Sequence, residues 1–293
     1  MQGTVDGFSY GAVTPVVAYL MACLGGALGL RCTSRSLLVP RSRRPAWLAL
    51  GAAAIGSGIW TMHFVAMMGF TIEEASVHYD KPITYASLAL AIVMVGVGIF
   101  IVGYRGASGT ALFTGGTITG LGVASMHYLG MAGVRFDGHF TYNTLTVAAS
   151  VVIGVVAATA ALWAAGHVRG ALWSVGASLV MGLAVSGMHY MGMAALGVQL
   201  HGTHHAAAGG GPEASVLVPM LIGPLAFLIL AGVVVVYDPL TVMGRPAPTT
   251  DEDKPGVPAA TVAPRPDRRT ALHQGRRPVR RPEYHGSRTP QNR

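Results

Sequence analysis

The sequence predicts an all-α, polytopic membrane protein of seven transmembrane helices, built from three parallel two-helix repeats plus one extra helix. Two observations predict it. Of the 293 residues, 52% are hydrophobic and only 11% charged, where a soluble domain carries about 25% charged residues. Three near-identical stretches also recur: Met62-His63-Phe64-Val65-Ala66-Met67, Met126-His127-Tyr128-Leu129-Gly130-Met131 and Met188-His189-Tyr190-Met191-Gly192-Met193. Each reads M-H-[FY]-x-[AG]-M near the end of a long apolar run. The histidines are 64 and 62 residues apart, so one unit occurs three times.

A helix crosses the hydrocarbon core in about 20 apolar residues. Seven runs qualify: 12–30, 46–70, 85–104, 110–134, 143–166, 171–197 and 215–237. No Asp, Glu, Lys or Arg interrupts them, whereas His63, His127 and His189 lie well inside. The first run reads as a retained span, because no Lys or Arg precedes Leu20-Met21-Ala22-Cys23. Cys23 and Cys32 are the only cysteines, too few for a disulfide framework. Gly25/Gly29 and Gly116/Gly120 have the small-xxx-small spacing that lets helices approach closely.

The charges set the orientation. Loops after odd-numbered helices hold Arg31, Arg35, Arg41, Arg43, Arg44, Arg105 and Arg169, and those after even-numbered helices only Lys81 and Arg135. The positive-inside rule then puts the N-terminus outside and the C-terminus in the cytoplasm of a multi-pass cell-membrane protein. All three motifs sit toward the outer face, on helices two, four and six. Two helices per repeat preserve direction across the bilayer, so the copies are parallel and can surround a pseudo-threefold axis along the membrane normal.

The expected division is a seven-helix membrane domain over 10–240 and a basic, Pro/Arg-rich tail over 244–293. The tail lacks apolar content and is expected to be disordered and cytoplasmic. The net charge of +8 is concentrated in that tail and in the loop 31–45. Such a pattern fits topology and attraction to the lipid bilayer, not nucleic-acid binding.

Windows beginning at Gly56, Gly120 and Gly182 agree in the leading Gly, the Met, the His and the second Met, while Trp60, Ala124 and Ser186 have diverged. His and the second Met are four residues apart, about 40° on a helical wheel, so imidazole and thioether share a face. That pair suits a soft metal such as Cu(I). The candidate ligands are His63, His127 and His189, with Met67, Met131 and Met193 as first-choice sulfur ligands. Met62, Met126 and Met188 point about 100° from the adjacent His and are second-choice. Tyr128 and Tyr190 read first as interface anchors. The tract His201-Gly202-Thr203-His204-His205 and the loop residues His78, Asp80, Asp137 and His139 are further outer-face candidates. Glu73 and Glu74 read as a solvated loop entrance.

Two other readings stay open: a noncovalently bound haem held by His/His or His/Met, and a copper or proton transporter. A retinal protein is excluded, since Lys81 and Lys254 both lie outside the spans. No phosphate loop, nucleophile elbow or catalytic carboxylate pair is present, so the chain is not expected to be an enzyme.

The triple Met-His-aromatic repeat in a seven-helix frame resembles the MHYT-domain family of bacterial membrane sensors over about residues 10–240. This chain departs from the family's Met-His-Tyr-Thr signature at Phe64, and at Val65, Leu129 and Met191, which stand in place of Thr. The resemblance implies a copper centre and a sensor of oxygen, carbon monoxide or nitric oxide. Many relatives carry cyclic-di-GMP enzymes as C-terminal output domains. With a short tail in that place, signalling here is expected to run through a separate partner.

Overall fold

The computed structural model describes residues 3–7, 9–167, 171–200 and 214–238. Seven long helices follow one another: α1 (Val13–Ser36), α2 (Arg44–Met67), α3 (Lys81–Arg105), α4 (Gly109–Ala132), α5 (Thr144–His167), α6 (Ala171–Ala194) and α7 (Ala214–Val236). Local chemistry sets several ends. Asp80 caps α3 by accepting from the Ile83 N–H at 3.1 Å, and Asn143 Oδ1 accepts from the Thr146 N–H at 3.1 Å at the start of α5. Gly106, at φ 87°, closes α3 in a conformation only glycine adopts freely.

Six of these helices are long and apolar enough to cross a membrane. The remaining one, α4, is equally long at 24 residues, and its glycines and threonines dilute its hydropathy. The helices differ from the predicted runs at their ends. α1 continues to Ser36, carrying Arg31 and Arg35 within it, because nothing before Pro40 breaks it. The motif helices stop two or three residues early, where the chain turns into short strands.

α1 to α6 pack in sequence order as a ring, closed by α6 against α1, while α7 lies outside against α2 and α1. Each two-helix repeat is thus one sector of a pseudo-threefold ring. Both small-residue motifs lie at helix contacts. A Cβ on Gly25 would sit 2.7 Å from Gly58 Cα, and one on Gly58 would sit 2.6 Å from Gly25 Cα, so α1 and α2 touch through bare backbone. Gly116 and Gly120 meet α5 in the same way, at Thr159 and Val155. Cys23 and Cys32 are both buried, free thiols.

The N-terminal segment and the loops beyond the motifs hold strands that the sequence reading did not anticipate. They are β1 (Val5–Asp6), β2 (Thr71–Ile72), β3 (His78–Tyr79), β4 (Val134–Arg135), β5 (Gly138–Tyr142) and β6 (Leu196–Leu200). They pair antiparallel as β1–β2, β3–β4 and β5–β6, for example Val5 with Ile72, Tyr79 with Val134 and Phe140 with Val198. Gly3 donates its N–H to Val198 O at 3.1 Å, which joins the N-terminal segment to the last strand. Glu74 accepts the Thr4 N–H at 2.9 Å, and this backbone donor holds its carboxyl below the ordinary range. Glu74 is therefore a tie within the cap, not merely a solvated side chain. Strands of two to five residues are too short to leave a period in the sequence.

The predicted tail, 244–293, lies outside the described residues, as do His201, His204 and His205.

The backbone contact between α1 and α2 gives a direct test. Gly58→Leu should force the helices apart and lower stability by about 1–3 kcal/mol, the usual cost of overpacking. Thermal unfolding in detergent, followed by size-exclusion chromatography, measures it; an unchanged midpoint would contradict the close contact.

Candidate metal centre

The helix ring brings the three motif histidines to one point. His63 on α2, His127 on α4 and His189 on α6 are each 1% exposed. Their Nδ1 atoms form a triangle: His63 to His189 3.0 Å, His63 to His127 3.2 Å and His127 to His189 3.3 Å. The rings stand nearly perpendicular to one another, at 77° to 89°, like propeller blades. Each also meets the aromatic residue that follows it edge-on: Phe64 at 4.6 Å, Tyr128 at 4.8 Å and Tyr190 at 4.9 Å between centroids. Among the described residues this is the single cluster of His, Cys, Asp or Glu groups with metal-binding spacing.

The triangle has a clear chemical requirement. A neutral imidazole offers one N–H and one lone pair. Three mutually close Nδ1 atoms cannot all be satisfied by hydrogen bonds to one another. Either one N–H is shared poorly between two acceptors, or three lone pairs face each other. A cation at the centre turns that repulsion into attraction. The centre lies about 1.8 Å from each nitrogen, close to the roughly 2.0–2.1 Å of metal–imidazole bonds. The donor set therefore fits a metal ion.

The other ring nitrogens explain a motif position that sequence reasoning passed over. Nε2 of His63 and of His127 is buried without a hydrogen-bond partner. His63 Nε2 lies 2.6 Å from where a Cβ on Gly130 would be, and His127 Nε2 lies 2.5 Å from where one on Gly192 would be. Each of these imidazoles backs onto the glycine of the next repeat. Metal-bound histidines usually donate their second N–H to a carboxylate or carbonyl; here shape holds the rings. The small residue before the second Met was visible in the pattern as Ala66, Gly130 and Gly192, but its partner lies on another helix.

The six motif methionines surround the triad as core. Met62, Met126 and Met131 are 0% exposed, Met67 and Met188 1%, and Met193 is partly buried against the same cluster. The triangle itself is made of nitrogen. Tyr128 donates to or accepts from Ser150 on α5 at 2.7 Å, so its hydroxyl is tied between helices. Of the outer-loop candidates, Asp80 caps α3, His78 pairs with Arg135 across β3–β4, and His139 with Gln199 across β5–β6. None of them joins the triad. On the side away from the strands lies an apolar cavity of about 40 Å³, lined by Ile59, Val95, Val123, Ala157, Val185 and Met188 among others.

The seat for each imidazole can be tested. Gly130→Val and Gly192→Val should expel the neighbouring ring and cost about 1–3 kcal/mol by overpacking. Ala66→Gly should cost no more than about 1 kcal/mol, the ordinary helix penalty of glycine. Melting curves of the three variants in one detergent separate these outcomes.

The comparisons with known proteins agree with this architecture. Residues 56–115 and 120–178 match the MHYT family, described as a bacterial signalling protein N-terminal repeat. The chain is 36% identical over 236 residues to the bifunctional diguanylate cyclase/cyclic di-GMP phosphodiesterase MucR of Pseudomonas aeruginosa, covering 78% of this chain and 34% of that protein. It is 35% identical over 209 residues to the cyclic di-GMP phosphodiesterase NbdA of the same organism, covering 67% and 26%. It is 28% identical over 200 residues to the signalling protein YkoW of Bacillus subtilis, covering 64% and 24%. The chain thus spans about a quarter to a third of the length of these relatives. No solved structure matches it. Repeated motifs, a ring of membrane helices and these relatives together make the chain a member of the MHYT family of bacterial signalling proteins.

Proposed function

We propose that this chain is a membrane sensor module whose three-histidine centre holds one copper ion. The observation that carries the reading is the triangle of Nδ1 atoms at 3.0–3.3 Å in a water-poor interior. His63, His127 and His189 supply the nitrogen ligands. Met67, Met131 and Met193 lie one helical turn further toward the strands and are the first sulfur reserve; Met62, Met126 and Met188 are the second. Soft thioethers around an all-imidazole set favour Cu(I) among the common metals. Copper held there would supply a redox-active centre able to take dioxygen, carbon monoxide or nitric oxide as a ligand.

The apolar cavity beside the triad supports a small uncharged ligand. Its volume, about 40 Å³, exceeds the roughly 10–15 Å³ needed to seat one water, and cavities with such linings stay dry and take apolar guests. The same cavity disfavours a transporter. Its lining holds Thr33 and Thr119 but no ionisable group to continue a path from the triad. Haem is disfavoured by the crowding of the nitrogens, which leaves no slot for a macrocycle between any two of them.

A change at the centre shifts α2, α4 and α6 together, because each contributes one ligand. Their far ends carry that shift to the face bearing Arg31, Arg35, Arg41 and Arg43, which the charge pattern assigns to the cytoplasm. A separate signalling partner would receive it there. The names of MucR and NbdA suggest cyclic-di-GMP turnover as the output.

Metal analysis of detergent-purified protein, with X-ray absorption at the copper edge, tests the centre. We expect about one copper per chain in a nitrogen-rich shell, lost on substituting any one of the three histidines by Ala. Protons compete with the metal for imidazole, so retention should fall as pH drops through about 6.5 or below. Full copper retention in the triple-Ala variant, or a Soret band in place of copper, would reject the reading.

The orientation has its own test. Reporter fusions after Pro45 and Thr250 should report cytoplasm, and a fusion after His139 the outside. An external reporter at Pro45 would invert the assignment.

A further inference from the structure

The end of the bundle opposite the strands carries a second built feature. Arg31, Ser34 and Arg35 on the last turns of α1, Leu38 just beyond, Trp47 on the first turn of α2, and Val235 and Asp238 at the end of α7 line a cavity of about 160 Å³. Arg35 is fixed within it. Its Nη2 donates to Asp238 Oδ1 at 2.9 Å, its Nε lies 2.7 Å from Asp238 Oδ2, and its guanidinium stands 5.6 Å from the centre of the Trp47 ring. Asp238 is 8% exposed, so this pair is shielded and Arg35 is largely neutralised.

Arg31 is different. It lies one helical turn earlier on the same face of α1, is exposed, and has no ion-pair partner among the described residues. Arg41 and Arg43 are also exposed nearby in sequence, and Arg44 donates to Ser36 O at 3.2 Å. Among the described residues, Asp238 is the only acid at this end of the bundle. The C-terminal ends of α1 and α7 oppose an anion through their dipoles, but those are partial charges against the full charge of Arg31 and the positive N-terminal end of α2.

We propose that this cavity binds a phosphate-bearing anion, and that its natural source is the headgroup of an anionic phospholipid. The guanidinium fork of Arg31 and the Ser34 hydroxyl supply donors that suit phosphate oxygens. Leu38, Val235 and the Trp47 ring provide the apolar wall along which acyl chains continue. A tryptophan beside arginines, at the ends of three spans, marks the depth at which headgroups lie. The occupant would bridge α1, α2 and the end of α7. Asp238 competes with it for Arg35.

That competition gives the proposal a sign. Native mass spectrometry of the full chain released from detergent, offered dioleoyl phosphatidylglycerol or dioleoyl phosphatidylcholine, reads the preference directly. We expect selective retention of phosphatidylglycerol. Arg31→Gln, a change at an exposed side chain, should weaken it about fivefold, the effect of one interfacial arginine. Asp238→Asn should strengthen it, whereas a purely structural ion pair predicts only lower stability and no gain in lipid retention. Displacement of the lipid by inorganic phosphate, with the same response to both substitutions, would support the anion site and assign it to free phosphate. Equal retention of the two lipids, or retention unaffected by Arg31→Gln, would overturn the proposal.

Discussion

Three imidazoles on the axis of an apolar bundle impose the condition that the rest of the fold meets. Each ring is buried, and an unsatisfied polar group in an apolar interior costs several kcal/mol. Bringing the Nδ1 atoms within 3.3 Å of one another requires α2, α4 and α6 to converge at one depth. Equal spacing of the motif in three parallel repeats achieves that convergence. It also requires small residues behind the rings, which is why Gly130 and Gly192 sit against the outward-facing nitrogens. The alternating helices α1, α3 and α5 fill the gaps and close the ring.

The two ends of the bundle have different tasks. At one end the loops pair as short strands, so their backbone groups are satisfied by one another above the buried triad. The link from Gly3 to Val198 and the tie from Thr4 to Glu74 bring the N-terminal segment into that cap. At the other end the charges among the described residues are almost all arginine, and the Arg35–Asp238 pair fastens the end of α7 to the first repeat. Between the ends the axis is occupied by an apolar cavity rather than a polar path. Its lining carries no ionisable side chain.

The threefold pattern is broken where neighbours differ. Trp60, in the first repeat, donates its indole N–H to Ser87 Oγ at 3.0 Å and Thr84 O at 3.2 Å, and Phe64 beside it is fully buried. In the second repeat the ring is Tyr128, whose hydroxyl has Ser150 as partner. A tyrosine is retained where α5 offers a hydroxyl, and Phe64 stands in a pocket of Trp60 and Tyr79 rings. α7 also packs mainly on the first repeat, against Leu28, Cys32 and Ala54. Divergence within the repeats thus follows the surroundings of each copy.

The sequence by itself determined the seven helices, their parallel repeat and the three histidines at a common depth. Apolar run length, spacing and repetition are properties of the chain read along its own axis. It also marked Gly25/Gly29 and Gly116/Gly120 as close-contact faces. Only the tertiary structure decided that Nδ1, rather than Nε2, points to the axis; for His63 and His127 the outward nitrogen sits against the glycine of the next repeat. The paired strands, the Tyr128–Ser150 contact and the Arg35–Asp238 pair likewise join residues far apart in sequence. Asp238 is 203 residues from Arg35, and no local period links them. What repeats along the chain can be read from it; what depends on which helices become neighbours is settled only when the ring closes.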